Sequence, residues 1–303
     1  GINKNDEKTI AVYDFGGGTF DISILTINNG IFEVLSTNGD TFLGGDDLDT
    51  AIVDFWMQQN QFEGDADYHR QQLRLKAEEA KRHLSDNSDF KTDYGNITLN
   101  ITNKEFEKII TPILDKTILC CANALKDSGL TKKDIEEVIM VGGSTRTPLV
   151  KKMVSTFFAK PVNDTVNPDE VVALGAAIQA DILAGNTKDL LLLDITPLSL
   201  GLETMGGLMD VLLPRNSKIP ARAARQYTTY KDGQSGMKIA VYQGERDMVT
   251  DNRKLAEFNL TGIPAMPAGM PKVEVSFLGP TSERNRHLVK INPELGSKKI
   301  KTL

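Results

Sequence analysis

The chain has 303 residues, enough for two domains of ordinary size. Its apolar fraction of 40% and charged fraction of 25% are typical of a globular protein, and its net charge of -6 argues against a nucleic-acid partner, which would need a basic excess. No apolar run reaches the roughly 20 residues of a membrane-spanning helix, and no signal peptide precedes the first predicted strand, so we expect no membrane partner and a cytoplasmic location.

The first part of the chain alternates predicted strands with glycine turns. Residues 9–15 and 20–27 have the composition of buried strands and are separated by three glycines. An Asn-Asn-Gly turn at 28–30 predicts a hairpin that leads into a third strand at 31–36. From Asp46 the apolar residues recur with the period of a helix.

A second helix, two short strands and a long helix are predicted next. The second helix extends to Leu84, and residues 90–101 alternate like short strands. Thr102 and Glu105 have the spacing of a capping box, which predicts the start of a long helix. Gly129 is the predicted end of that helix.

A strand, a glycine junction and a further helix follow. Residues 137–141 form a predicted strand that leads into Gly142. Asn167 is the predicted N-cap of the next helix, because a proline follows it directly and Glu170 lies three residues later. We expect this helix to extend to Gly185.

Beyond residue 188 the helical period ends, and short alternating runs lie between Gly, Pro and Asn turns. This pattern predicts an antiparallel β domain. We therefore divide the chain into a first domain at 1–188, an apolar linker at 189–194, a β domain at 195–277 and a tail at 278–303.

The most specific motif is a glycine loop between two aspartates. Backbone N–H groups of such a loop can face a phosphate at close range, a threonine adds a hydroxyl, and carboxylates beside a phosphate suit a hydrated Mg²⁺ ion. An ordinary glycine hairpin is the alternative interpretation. The candidate residues are Asp14, Gly16, Gly17, Gly18, Thr19 and Asp21.

Two weaker motifs accompany the loop. A second strand–glycine–helix junction could bind an anion and stack an arginine on a base, although a plain turn explains it equally well. Four polar residues also share one face of the second helix, which without further context is an exposed face with ion pairs. The two sets are Gly142, Gly143, Ser144 and Arg146, and Glu78, Lys81, Arg82 and Ser85.

Taken together, these runs resemble the DnaK-type 70-kDa heat-shock chaperones. The resemblance is carried by AVYDFGGGTFDISIL, LGGDDLD, EEAKRHLS, VGGSTR and DLLLLDITPLSLGLETMGG, in that order. Within the family the chain is most similar to the HscA branch, which serves iron–sulfur cluster assembly, because of YTTYKDGQ and GIPAMPAG. The resemblance implies an actin-like ATPase (ribonuclease-H-like) lobe of α/β class, followed by an incomplete antiparallel β-sandwich.

The resemblance also implies roles for the candidate residues. ATP or ADP would bind with Mg²⁺, with Asp14, Thr19 and Asp21 as catalytic residues and the two aspartates reaching the metal through water. The glycine loop would hold phosphate, and the second-helix face, the second junction and Asp169 would enclose adenosine. A peptide groove is implied at Leu202, Thr204, Met205, Tyr227, Thr228, Tyr230, Gln234, Met237 and Ile239, although ordinary sandwich core explains each of these residues equally well.

The implied partners are client peptides or an iron–sulfur scaffold protein, and a J-domain co-chaperone. Relative to the family pattern, we expect the first lobe of the ATPase to be missing and the match to end near Phe277. Because phosphoryl transfer needs groups from both sides of the nucleotide, ATP hydrolysis by this span is uncertain. Two other functions stay open: a non-catalytic peptide-binding module, and a metabolite kinase of the actin-like fold.

Overall fold

The computed structural model describes residues 7–168, 170–187, 190–278, 288–293 and 299–302. The chain forms two compact units, Gly1–Leu192 and Leu193–Leu303. The division, between Leu192 and Leu193, falls inside the linker predicted at 189–194. The exact bounds of the predicted domains stay predictions. Among the described residues, no helix is long and apolar enough to cross a bilayer.

Unit 1 is built on a mixed sheet with helices. Its strand order is β7-β6-β1-β2-β3-β8, in which β1 pairs antiparallel with β2 and parallel with β6. The elements, in chain order, are β1 (Lys8–Phe15), β2 (Phe20–Asn28), β3 (Ile31–Asp40), α1 (Gly45–Gln59), α2 (Ala66–His83), β4 (Asp89–Tyr94), β5 (Ile97–Thr102), α3 (Asn103–Ser128), β6 (Glu137–Val141), α4 (Pro148–Phe158), β7 (Val162–Asn163), α5 (Val171–Leu183) and β8 (Leu191–Leu193).

Both faces of the central strand β1 are covered. Tyr13 and Phe15 are fully buried in the main core, which also contains Trp56 of α1 and Phe106 of α3. Ile10, on the other face of β1, belongs to a second, smaller core. Burial on both faces explains why this strand reads as a continuous apolar run.

Most predicted elements of unit 1 are present, and one helix start is wrong. The capping box of α3 forms, with the Glu105 N–H donating to Thr102 Oγ1 at 3.3 Å, and α3 ends before Gly129 at a φ of 72°. The last helix begins at Val171 and has Glu170, not Asn167, at its N-cap. The Asn167 carbonyl accepts the N–H of Glu170 at 3.2 Å, so a tight turn precedes the helix.

Unit 2 is an antiparallel β-sandwich, which together with the α/β unit 1 confirms the predicted class. Its two sheets have the orders β10-β9-β12-β13 and β11-β14-β15-β16, and one apolar core contains residues of both, such as Leu202 and Val275. The strands are β9 (Leu200–Thr204), β10 (Leu208–Leu213), β11 (Arg222–Thr228), β12 (Gly236–Gln243), β13 (Arg253–Thr261), β14 (Lys272–Leu278), β15 (Leu288–Pro293) and β16 (Lys299–Thr302). The last two lie in the predicted tail.

Candidate functional site

The glycine loop joins β1 to β2 in a tight turn. Gly16 N–H donates to the Thr19 carbonyl at 3.0 Å, directly after the paired residues Phe15 and Phe20. A Cβ placed on Gly17 or on Gly18 would meet no atom within 4 Å. The tip of the turn is therefore open on the side where a ligand could approach it.

The start of α1 holds this turn in place. Gly45 N–H donates to the Gly16 carbonyl at 2.9 Å, and Asp46 N–H donates to the Gly17 carbonyl at 2.7 Å. A Cβ on Gly44 would lie 2.3 Å from the Gly17 carbonyl oxygen. Only glycine permits this approach, so the LGGDD run is the segment that positions the loop.

Asp14 and Asp21 lie directly opposite each other in the β1–β2 ladder, so their side chains share one face of the sheet. Partial burial raises the pKa of Asp14; partial burial and then the Asp14 charge raise the pKa of Asp21. Among the described residues, no group of three or more metal-binding side chains occurs. Two neighbouring carboxylates instead fit an Mg²⁺ ion that keeps most of its waters and a phosphate ligand.

The polar face of α2 contains two ion pairs with different surroundings. Lys81 Nζ lies 2.8 Å from Asp49 Oδ1 and donates to the Gly45 carbonyl at 3.1 Å. Burial raises the pKa of Asp49, and the hydrogen bond and charge of Lys81 oppose this rise. The second pair joins Arg82 to Glu78 at 2.6 Å and is exposed.

The sequence-based prediction missed Asp49, although a signal for it exists. Asp49 lies three residues before Ile52 and seven before Trp56, which places a carboxylate on the buried stripe of α1. A charge on such a stripe needs a partner. Lys81 is that partner, so it links α2 to the beginning of α1.

The second glycine junction packs against the first. Gly142 has a φ of 88°, and a Cβ there would lie 2.3 Å from the Phe15 carbonyl oxygen. Ser144 Oγ donates to the Gly16 carbonyl at 2.8 Å. The chain then forms a 3₁₀ turn, Gly143–Arg146, before α4 begins, whereas the sequence predicted a helix directly after the glycines.

These elements enclose a cleft of about 630 Å³ within unit 1. Its lining contains eight predicted residues, namely Gly17, Glu78, Lys81, Arg82, Ser85, Gly143, Ser144 and Arg146. It also contains three residues that the motifs did not indicate, Asp86, Thr147 and Lys151. Lys151 is held by Asp164 at 2.6 Å.

The other predicted residues of unit 1 lie elsewhere. Within the described part of the chain, the lining of the cleft does not include Asp14, Gly16, Gly18, Thr19, Asp21 or Gly142. Gly16, Gly18, Thr19 and Gly142 belong to the two glycine turns, and Asp14 and Asp21 lie on β1 and β2 next to the first turn. Asp169 lies outside the described residues. Exposed backbone N–H groups and cationic side chains at one cleft are what an anionic ligand requires.

The predicted peptide residues of unit 2 fall into two groups. Leu202 and Ile239 are buried in the sandwich core, and Tyr227 and Met237 pack against it. The others lie at or near strand ends and turns, with exposures that range from partial to 81% at Met205: they are Thr204, Met205, Thr228, Tyr230 and Gln234. Gln234 closes a turn, since its Oε1 accepts the Tyr230 N–H at 3.1 Å.

Comparisons with known proteins identify the family of the chain. A sequence model of the family described as Hsp70 protein matches residues 1–278. The chain is 49% identical over 281 residues to the chaperone protein HscA of Pectobacterium atrosepticum, covering 91% of this chain and 46% of that protein. It is 50% identical over 280 residues to the chaperone protein HscA of Klebsiella pneumoniae, with the same coverage. The chain thus spans about half the length of the curated relatives it matches.

Proposed function

This chain belongs to the Hsp70 family, and on that premise we propose that unit 1 binds ATP or ADP with Mg²⁺ and that unit 2 binds client peptides. The family match confirms the predicted actin-like ATPase fold of unit 1. The relatives at about half identity are chaperones named HscA. We therefore propose an ATP-dependent chaperone of iron–sulfur protein maturation, acting in the cytoplasm with an iron–sulfur scaffold and a J-domain co-chaperone.

The observation that carries the nucleotide proposal is the convergence of three distant segments on one cleft. Ser144 Oγ bonds to the Gly16 carbonyl, and Lys81 bonds to the Gly45 carbonyl, which ties both glycine turns and α2 together. The open N–H groups of the first turn would contact phosphate. The α2 face and Arg146 would contact the adenosine.

The two aspartates supply the other part of the proposed site. The Asp14 and Asp21 carboxylates would hold the water shell of an Mg²⁺ ion, which when bound contributes positive charge beside the phosphate oxygens. Thr19 at the open end of the turn would add a hydroxyl contact. ATP hydrolysis is proposed for the whole protein, because charge must be stabilised on both sides of the transferred phosphate.

Calorimetric titration with Mg·ADP tests the nucleotide proposal. We expect Glu78→Gln to weaken binding about tenfold, because a charged hydrogen-bond partner in the cleft is lost. Glu79→Gln is the matched control, since it makes the same change on the next, exposed residue of α2, which does not line the cleft. Equal affinities of the two variants, or no binding by the unmodified chain, would contradict the proposal.

A further inference from the structure

Among the described residues, the two sheets of the sandwich each end, on the same side, in a strand that pairs with a single other strand, although the start of β10 also forms an isolated bridge between Leu208 and Met248. Within the described residues, β10 is the last strand of one sheet and β11 is the last strand of the other. These two strands lie next to each other. Open strand edges need protection, and charged side chains that point inward are one of the devices that proteins use for it.

Three polar side chains occupy the gap between these edges. Asp210 of β10 pairs in register with the core residue Leu202, so its side chain is on the inward face. Arg225 alternates with the inward residues Ala223 and Tyr227 of β11, so it is on the inward face as well. A carboxylate and a guanidinium therefore stand at the border of an otherwise apolar core.

The three side chains are joined through the Asp210 carboxylate. Tyr227 Oη donates to Asp210 Oδ2 at 2.7 Å, and the Arg225 guanidinium contacts Asp210 Oδ1. The side chain of Asp210 is 24% exposed and that of Arg225 is 49% exposed. Burial and the hydrogen bond to Asp210 raise the pKa of Tyr227, so its hydroxyl keeps the proton that it donates. Asp210, Arg225 and Tyr227 thus each have a polar partner, as inward placement demands.

We propose that Asp210, Arg225 and Tyr227 form an edge clamp, which joins β10 to β11 and fixes the Tyr227 ring against the core residues of the peptide groove. The proposal rests on the peptide-binding function proposed for unit 2. Tyr227 packs on the cluster that contains Leu202 and Ile239, so a change in its orientation would change the packing between the two sheets at this edge. Asp210 is thus a positioning residue that acts through Tyr227.

A kinetic double-mutant cycle tests the clamp in the full chain. The probe is a fluorescein-labelled peptide with a leucine run at its centre and glycine and serine at its ends. We expect Tyr227→Phe to raise the peptide dissociation rate about fivefold and Asp210→Ala about tenfold, with little change in the association rate. The double variant should also reach only about tenfold, because both changes break the same contact. Independent effects would multiply to about fiftyfold and would contradict coupling through Tyr227.

The matched control is Glu257→Gln, on the edge strand at the other side of the same sheet. Glu257 pairs with Lys238 at 3.0 Å and contacts Lys254, so it too is the carboxylate of a surface ion-pair group. We expect this variant to leave peptide dissociation unchanged. A rise equal to that of Asp210→Ala would show a general effect of lost ion pairs and would overturn the clamp.

Hydrogen exchange without peptide separates the clamp from the peptide-binding proposal. We expect Asp210→Ala to speed amide exchange in β10 and β11 about tenfold relative to β13, because the two edges open locally. If the unmodified chain binds no peptide, the function proposed for unit 2 is refuted. The amide exchange rates of β10 and β11 would then be the test of the clamp. Unchanged exchange at β10 and β11 would overturn the clamp, even if peptide binds.

Discussion

Two ion pairs that involve residues of α2 differ in burial and therefore in their contribution to stability. The side chains of Lys81 and Asp49 are only 15% and 5% exposed, whereas those of Arg82 and Glu78 are 77% and 41% exposed. Solvent screens the exposed pair, which therefore contributes little to stability. Loss of Lys81 would leave a buried carboxylate without its partner, which costs about 3 kcal/mol or more. Lys81 is thus structural as well as a candidate contact for the nucleotide.

The two aspartates beside the glycine loop predict a pH dependence of stability. Their pKa values are raised in the folded chain, so the folded state binds protons more tightly than the unfolded state. Their contribution therefore favours folding below the ordinary carboxyl pKa and is lost as the pH rises through the raised pKa.

We expect Asp14→Asn, which keeps the shape of the side chain without its charge, to flatten this decline above about pH 4. It should also raise the unfolding midpoint at neutral pH, and weaken Mg²⁺-dependent nucleotide affinity about tenfold. Calorimetric melts over the pH range and titrations with and without Mg²⁺ measure these effects. Asp115→Asn, at an exposed position of α3, is the control. A pH profile identical to that of the unmodified chain would contradict the expectation.

At the scale of elements, the beginning of α1 does two things at once. Its first N–H groups satisfy carbonyls of the glycine turn, and the Asp47 carboxylate accepts the Gly44 N–H at 2.7 Å. The N-terminal end of a helix carries positive charge from its peptide dipoles. The turn is therefore both fixed and placed where an anion is favoured.

Gly44→Ala tests the close packing of these two elements. The added Cβ would collide with the Gly17 carbonyl, so the turn must shift, and we expect a loss of about 2 kcal/mol in unfolding free energy. Nucleotide affinity should fall with it. Gly18→Ala is the control for stability, because its Cβ has open space, and it should change stability by less than about 0.5 kcal/mol. Urea denaturation of both variants measures these changes. Equal urea midpoints for Gly44→Ala and Gly18→Ala would contradict the packing argument.

At the scale of the whole molecule, each unit has a hydrophobic core of its own. The largest buried side chains of unit 1, such as Trp56 and Tyr13, belong to its main core, and the core of unit 2 draws on both of its sheets. Each unit therefore has the apolar burial that an independent ligand-binding domain requires.

This organisation predicts separate protection by the two ligands. A ligand at a hundredfold excess over its Kd stabilises the unit it binds by about 2.7 kcal/mol. We expect Mg·ADP to slow amide exchange around the glycine turns and α2, and a leucine-rich peptide to slow exchange in β9 and β12. Exchange followed by mass spectrometry measures both. Protection of unit 2 strands by nucleotide alone, with unit 1 unchanged, would contradict the assignment of the sites.

The local pattern of residues was sufficient to predict much of the fold. Runs of buried-strand composition indicated β1 and β2 correctly, and the capping box at Thr102 and the turn at Gly129 indicated α3, because these signals depend on neighbours along the chain. The glycine loop and the HscA-like runs identified the family for the same reason. The start of α5 was wrong, because Asn167 uses its carbonyl in a tight turn that the N-cap pattern does not distinguish.

The sequence did not predict the contacts between segments that lie far apart in the chain. The Ser144–Gly16 bond spans 128 positions and the Lys81–Asp49 pair spans 32, and no periodicity encodes either contact. Lys151 of α4 and Asp86, which follows α2, line the same cleft only in the folded chain. The edge clamp at Asp210 likewise depends on two strands of different sheets. The sequence by itself determines the types of the functional residues and their local spacing. Burial is decided only by the tertiary structure, because it arises when the elements pack, and burial in turn decides which charges need partners.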